Sequence, residues 1–240
     1  MPILVDVLKN FFRVAETQEG EISEVSTHPL EEWDSFWASF EGKETRVVVA
    51  LPAPLVFTCS RFYGLGKEFL EEILDFEIEK TVVDLDDVIH VEVVEADGGS
   101  LLILTELTQR GEDFLEPLRN LEELFVSSRP LFLCGSAPAE SSLLVEMEDD
   151  LLTWCFTSSG GVRDLGEMDL SPVETDEAVN TLALRLKRSG FSKKGIKLVA
   201  GGDREPLERF LELLSSELDL EKFEITDDIS GVIRGMHRLG

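Results

Sequence analysis

A reactive centre needs a nucleophile beside a base, metal ligands at a fixed spacing, or a glycine-rich turn that bares main-chain amides to phosphate. This chain offers few such arrangements. Ser60, Ser136 and Ser159 have no base identifiable beside them, and no GxSxG, HExxH, Walker or GxGxxG signature occurs. His28, His90 and His237 are far apart and lack ligand spacing, so no metal centre is expected from them. Cys59, Cys134 and Cys155 form no CxxC pair. Each lies in an apolar run, as a small buried hydrophobe does, and three scattered cysteines suit a reducing cytosol better than a disulfide framework. The 49 Asp and Glu residues make carboxylate pairs so common that closeness in sequence selects none of them as an acid–base pair. No catalytic residue is expected.

Three short segments and one charged run remain. Asp6-Val7-Leu8-Lys9-Asn10 ends an apolar strand. Asp6 there is a natural turn former, and Lys9 is either a solvated turn lysine or a phosphate contact. Glu146-Met147-Glu148-Asp149-Asp150 joins two strand candidates and contains no glycine. Gly201-Gly202 before Asp203 is a good strand-to-helix turn in any α/β protein. The charged run has twelve acidic residues from Glu68 to Asp97, with Lys80 the one Lys or Arg among them. Within it, Glu68, Glu71, Glu72, Asp75 and Glu79 form the polar face of an expected helix. They read either as a solubilising surface or as a docking face for a basic partner.

Composition narrows the classes. With 43% hydrophobic residues the chain is not disordered, and 240 residues suffice for one large domain or two lobes. A formal charge of −27 repels phosphate backbones and anionic membranes, so nucleic-acid binding is not expected. No stretch approaches the ~20 apolar residues of a spanning helix. Met1-Pro2 leads straight into a strand-like run without a basic leader, so a soluble polypeptide is expected.

The elements that would position these residues are set by periodicity. Strands are expected at Ile3–Val7, Phe11–Ala15, Ile22–Val25, Thr45–Leu51 and Leu55–Ser60, with a hairpin at Gln18-Glu19-Gly20. Pro29–Phe40 has helical spacing and ends at Gly42. A helix over Lys67–Lys80 would bury Phe69, Leu70, Ile73, Leu74, Phe76 and Ile78. Val88–Val94 and Leu101–Leu107 read as a hairpin, Glu112–Phe125 as an amphipathic helix, and Leu131–Cys134 as a buried strand. Strands at Leu143–Met147, Leu151–Thr157 and Val162–Leu170 come next. Thr175 is expected to cap a helix closed by Gly190. A strand Ile196–Ala200, a helix Arg204–Leu218 capped by Asp203, a strand Phe223–Ile225 and a helix through Ile229, Val232, Ile233 and Met236 complete the chain. Each half opens with meandering strands and closes with strand–helix units, which argues for two α/β lobes with mixed sheets.

Three stretches carry a family likeness: Ile3–Val14, Val47–Val91 with its Phe76-Glu77-Ile78-Glu79 helix end, and Ile196–Leu214 with its double glycine. In them the sequence resembles the actin-like proteins of type IV pilus and type II secretion platforms, PilM and the cytoplasmic domain of GspL. The resemblance implies an actin-like (RNase H-like) two-lobed α/β fold. Residues 1–130 would be the first lobe, with an inserted acidic α/β subdomain at about 52–108, and 131–240 the second. It also implies that Asp6, Lys9, Gly201 and Gly202 mark the place of a nucleotide site. In such folds two hairpins wrap the phosphates, and glycines let main-chain amides approach them. Here Leu8 stands where glycine is expected, and the second hairpin carries carboxylates that would repel a triphosphate.

These departures lead to the expectation of a non-catalytic scaffold without cofactor, and the resemblance implies that it links a motor ATPase to an inner-membrane platform, at its cytoplasmic face. Its expected partners are the assembly ATPase and other platform proteins, with a homodimer as a further expectation. The alternative is a nucleotide-binding switch that uses ATP with Mg. Arg234, His237 and Arg238 near the C-terminus either suit a helix end or precede a membrane span, as in an excised cytoplasmic domain.

Overall fold

The computed structural model describes residues 2–18, 21–40, 45–82, 85–96, 98–137, 141–158, 161–171, 173–191, 197–220, 223–225 and 230–239. Glu19, Gly20, Gly42, Asp84, Asp97, Ser159, Ile196 and Ile229, on which sequence expectations rest, lie outside the described residues.

Two five-stranded mixed sheets form the lobes. The first contains β1 (Ile3–Val7), β2 (Phe11–Gln18), β3 (Glu21–Pro29), β4 (Arg46–Leu51) and β8 (Glu123–Ser128), in the order β3-β2-β1-β4-β8. The second contains β9 (Ser142–Glu148), β10 (Leu151–Ser158), β11 (Gly161–Asp169), β12 (Lys197–Gly202) and β13 (Phe223–Ile225), in the order β11-β10-β9-β12-β13. In each, an antiparallel meander supplies three strands and parallel strands extend the other side. Between β4 and β8 the chain leaves the first lobe to build a three-stranded antiparallel sheet. It comprises β5 (Val56–Tyr63), β6 (Val88–Ala96) and β7 (Gly99–Leu107), in the order β5-β7-β6.

Alternation along the strands sets the layers, because neighbouring side chains point to opposite faces. Ile3, Val5, Val7, Val47 and Val49 pack outward against Trp33 and Trp37 of α1 (Trp33–Ala38) and against Leu115 and Leu118. Leu4, Val48 and Ala50 point the other way, toward the second lobe. There they meet Phe132 and Leu133 of α5 (Arg129–Gly135) and Val232, Ile233 and Met236 of α8 (Gly231–Leu239). Leu144 and Cys155 of the second sheet close the same cluster from the far side. Two helices are thus the filling between two sheets. They cross closely at Gly235, where a Cβ would lie 1.5 Å from the Phe132 carbonyl oxygen, so any larger residue forces the helices apart. The outer face of the second sheet is covered by α6 (Thr175–Arg188) and α7 (Arg204–Leu218).

Four expectations are corrected. The helix over 112–125 is α4 (Gln109–Leu115), a 3-10 turn Glu116–Leu118 and then strand β8. Pro117 lacks an amide hydrogen and disfavours helix in the residue before it, which ends the α-helix there. The expected strand Leu131–Cys134 lies in helix α5, which Pro130 opens in its first turn. A four-residue apolar run does not separate a buried helix from a buried strand. The single helix over 67–80 is α2 (Lys67–Glu72) and α3 (Leu74–Glu79), broken at Ile73. Finally, Cys134 and Cys155 are joined in a disulfide between α5 and β10 and Cys59 is free, so two of the three thiols are not simply buried hydrophobes.

Candidate functional site

The parity of the strands that aims Leu4 at the second lobe also aims Asp6 there. Arg13 lies opposite Asp6 in the β1–β2 register. In β9, Glu146 and Glu148 share the face of Leu144, while Val145 and Met147 join the outer core. Thr153 of β10 shares the face of Cys155. Every one of these polar side chains is therefore delivered to the seam between the lobes.

Arg129, the first residue of α5, ties them together with no solvent exposure. Its Nε donates to Asp6 Oδ1 at 2.8 Å, Nη2 to Glu146 Oε1 at 3.1 Å, and Nη1 to Thr153 Oγ1 at 2.9 Å and Glu167 Oε2 at 3.2 Å. Glu148 pairs with Arg13 and stands 3.8 Å from Arg129. Glu167 is held further by the Ala53 amide, and Glu146 by Ser230 Oγ on the approach to α8. One guanidinium thus bonds a strand of each lobe, and the carboxylates around it reach the root of the inserted subdomain and the C-terminal helix.

The electrostatics follow from burial. Desolvation works against the Arg129 charge, but the Asp6, Glu167 and Glu146 carboxylates outweigh it and raise its pKa further. Burial pushes Asp6 and Glu167 above the usual carboxylate range despite Arg129. Burial and then the neighbouring Glu146 push Glu148 up to about 8, against the pull of Arg13. Four carboxylates facing two guanidiniums leave an excess of negative charge that protonation relieves.

The hairpin tips are joined as well. Asp149 and Asp150 both take left-handed conformations, φ 53° and 61°, forming a tight two-residue turn without glycine. Glu146 and Glu148 therefore belong to strand β9, not to the turn. The Asp149 carboxylate accepts from the backbone amide of Asn10 and, at 2.6 Å, from Asn10 Nδ2. The Asp149 amide in turn donates to Asp203 Oδ2 at 3.1 Å, so Asp203 spends its carboxylate on the hairpin rather than on its own helix. Lys9 reaches Asp169 at 3.2 Å and Ser171 Oγ at 2.6 Å.

Of the sequence-predicted site residues, Asp6 lies in the buried cluster and Lys9 is engaged at the rim. Gly201 and Gly202 end β12, paired with Glu146 and Met147. At Gly202, φ is +108° and a Cβ would fall 2.0 Å from the Met147 carbonyl oxygen. Close strand packing by itself demands that glycine. Glu68, Glu71, Glu72, Asp75 and Glu79 lie elsewhere, all exposed on α2 and α3. With them Phe69, Ile73 and Phe76 are exposed, whereas Leu70 and Ile78 are the apolar side chains buried there. Glu77, from the same run, is instead buried and bonded to Tyr63 and Lys80. Arg13, Arg129, Thr153 and Glu167 are not marked by any sequence motif. A lone Arg beside Pro130 carries no local signal, although the alternation of Glu146 and Glu148 with apolar residues is a visible one. Arg238, at the C-terminus, donates to the Gly135 and Ser136 carbonyls, which gives that basic residue a local role at the end of α5.

The main-chain amides of the first turn are already engaged within the protein. The Asn10 amide is taken by Asp149, the Leu8 amide donates to the Phe11 carbonyl at 2.9 Å, and Leu8 itself is buried. Oxygen donors of the kind a hard cation takes lie close by. Asp6, Glu146 and Glu148 each offer an oxygen within 4.8 Å of the others, and Asp6 Oδ2 and Glu148 Oε2 are buried without a hydrogen-bond partner. Two guanidiniums already supply positive charge to that same group.

No protein-family model matches the chain, and no curated protein sequence does. Solved structures do. The PilM–PilN type IV pilus biogenesis complex matches with a TM-score of 0.63 at 13% identity, over 94% of this chain and 88% of that one. A Bacteroides thetaiotaomicron protein with an actin-like ATPase fold gives 0.62 at 10% identity, over 98% and 95%. The cytoplasmic domain of EpsL, an inner-membrane component of the type II secretion system of Vibrio cholerae, gives 0.53 at 14% identity, over 98% and 92%. The chain thus has the actin-like ATPase fold, and its Arg129 cluster lies at the junction of that fold's two lobes.

Proposed function

We propose that this protein is a non-catalytic actin-like adaptor that works by holding partners rather than by turning over a nucleotide. The observation that carries the reading is the filled seam. Arg129 and its carboxylates occupy the junction of the lobes, and Asp149 stands on the Asn10 amide as an internal anion. A site that satisfies its own donors offers them to no phosphate. The likeness to PilM and to the EpsL cytoplasmic domain supports placing the adaptor in a type IV pilus or type II secretion platform. There it would link a motor ATPase to the inner-membrane components. The exposed acids of α2 and α3 are the proposed docking face, since their field speeds encounter with a basic segment and favours it over acidic ones. Thermal unfolding with and without millimolar Mg-ATP tests the first half. A bound ligand at a hundred times its Kd adds about 2.7 kcal/mol, whereas the adaptor shows no shift. Calorimetric titration with the motor's N-terminal domain at low salt tests the second half, and absence of heat with every platform component would reject it.

The Asp6, Glu146 and Glu148 trio favours one further reading, a nucleotide-binding switch whose seam opens to admit ATP with Mg. A shift with Mg-ATP that disappears in Asp6→Asn would support the switch over the adaptor.

A further inference from the structure

The residues of α2 and α3 fall into three stripes with one spacing. Leu70, Leu74 and Glu77 follow one another at four and then three residues, as one face of a helix does. Phe69, Ile73 and Phe76 do the same, and so do Glu68, Glu72 and Asp75, which Glu79 extends. The first stripe faces the inserted sheet, where Leu70 and Leu74 pack with Val93 and Leu102. The other two face water. Phe69 is 65% exposed, Phe76 57% and Ile73 38%, and the four acids are exposed beside them. Burial keeps the stripes distinct on both sides of the break at Ile73. The two short helices therefore present one apolar ridge with carboxylates along a single flank.

Neither outer stripe is consumed within the protein. Among the described residues Glu68, Glu72, Asp75 and Glu79 enter no ion pair, and no cation or second ring lies over Phe69. Phe76 carries one cation, Lys80 Nζ, 3.9 Å from its ring centroid, and Glu77 holds that ammonium at 3.0 Å. An ammonium on a phenyl face beside a carboxylate is thus a contact this ridge already makes once. Charge selects what covers the rest. On a chain of charge −27, a second copy brings like charge to the face, and so does an anionic membrane. A basic segment is attracted to it.

We propose that the ridge binds an amphipathic basic helix of a partner protein. The partner's apolar side chains, at the spacing i, i+4, i+7, pack on Phe69, Ile73 and Phe76. Its Lys and Arg, along one flank, meet Glu68, Glu72, Asp75 and Glu79. The proposal rests on the reading of α2 and α3 as the docking face and adds the form of the partner. Side chains one helical turn apart leave grooves that accept the ridges of another helix, whereas an extended chain, with its period of two, does not match that spacing. A partner cation laid over Phe69 repeats the contact of Lys80 with Phe76.

The probe is a synthetic peptide with Leu at i, i+4, i+7 and i+11 and Lys along one flank. Its comparators are a peptide of the same composition in scrambled order, and the same peptide with two central prolines, which cannot continue a helix. Fluorescence anisotropy with the full chain reads affinity, and far-ultraviolet circular dichroism reads the helicity gained on binding. The amphipathic peptide is expected to gain helicity and to bind about tenfold more tightly than either comparator. Phe69→Ser with Phe76→Ser should remove that advantage, while Glu68→Lys with Glu72→Lys should weaken all three peptides. Equal affinity for the three peptides, or an advantage that survives in the phenylalanine variant, overturns the helical partner and leaves a purely electrostatic docking face standing. Absence of binding by every basic peptide at low salt overturns the proposal together with the docking face. Self-association of the protein alone, or binding to phosphatidylcholine vesicles, that disappears in the phenylalanine variant assigns the ridge to a second copy or to a membrane and overturns the proposal as well.

Discussion

Carboxylates do opposite work in two regions of this protein. At the seam between the lobes, Asp6, Glu146, Glu148 and the side chain of Glu167 are buried around Arg129, and each contributes to holding two sheets and two helices in register. On α2 and α3, Glu68, Glu71, Glu72, Asp75 and Glu79 stand in solvent beside exposed Phe69 and Phe76. The first group is locked by geometry, and removing one partner strands a charge in low dielectric. The second is loosely held, with Glu71 as far as 3.8 Å from Lys67, and in the proposed docking role its worth would be measured in association. An abundant residue type acquires a role from the face of the element that carries it.

The sharpest way to break that contrast is at Arg129. Arg129→Met leaves Asp6, Glu146 and Glu167 buried without their cation, and should lower the unfolding free energy by about 3–5 kcal/mol. Urea denaturation checks it, and a cost under about 1 kcal/mol would mean that the seam does not depend on the cluster. Next in size is pH. Unfolded Glu148 titrates near the ordinary carboxylate value, while the folded group titrates near 8. Between these values the folded chain holds a proton that the unfolded chain lacks. Stability should therefore fall as pH rises through this window, by at most about 1.4 kcal/mol per unit, and level off above about pH 8. Asp6 and Glu167 act in the same direction. Glu148→Gln should flatten the slope measured by denaturation across pH 5–8. Asp149→Ala removes the carboxylate that bridges the hairpin tips and should cost about 1 kcal/mol; faster hydrogen exchange at the Asn10 amide would be the local sign. Smallest in stability is the outer face. Glu68→Lys with Glu72→Lys, or Phe69→Ser with Phe76→Ser, should leave the unfolding free energy within about 0.5 kcal/mol. The same pairs should weaken binding of a basic partner segment, which titration calorimetry reads directly.

Strands with clear alternation and turns with clear chemistry are legible in the residue string. Legibility fails where local signals are balanced. The 67–80 segment has apolar residues on more than one helical face: Leu70 and Leu74 pack on the three-stranded sheet, the helix breaks at Ile73, and the phenylalanines remain outside. Leu131–Cys134 is equally apolar as strand or helix, and only its place between two sheets makes it helical.

The sequence by itself settled the two-lobed α/β rhythm, the likeness to the actin-like proteins, and the absence of glycine at Leu8 and at Asp149-Asp150, because periodicity and backbone permissiveness are properties of short segments. Tertiary structure alone decided that Arg129 meets Asp6 from 123 residues away, that Asp149 docks on Asn10, and that Cys134 joins Cys155. Such pairings depend on which strand faces are brought together across a seam, and no local pattern encodes the far side of a contact.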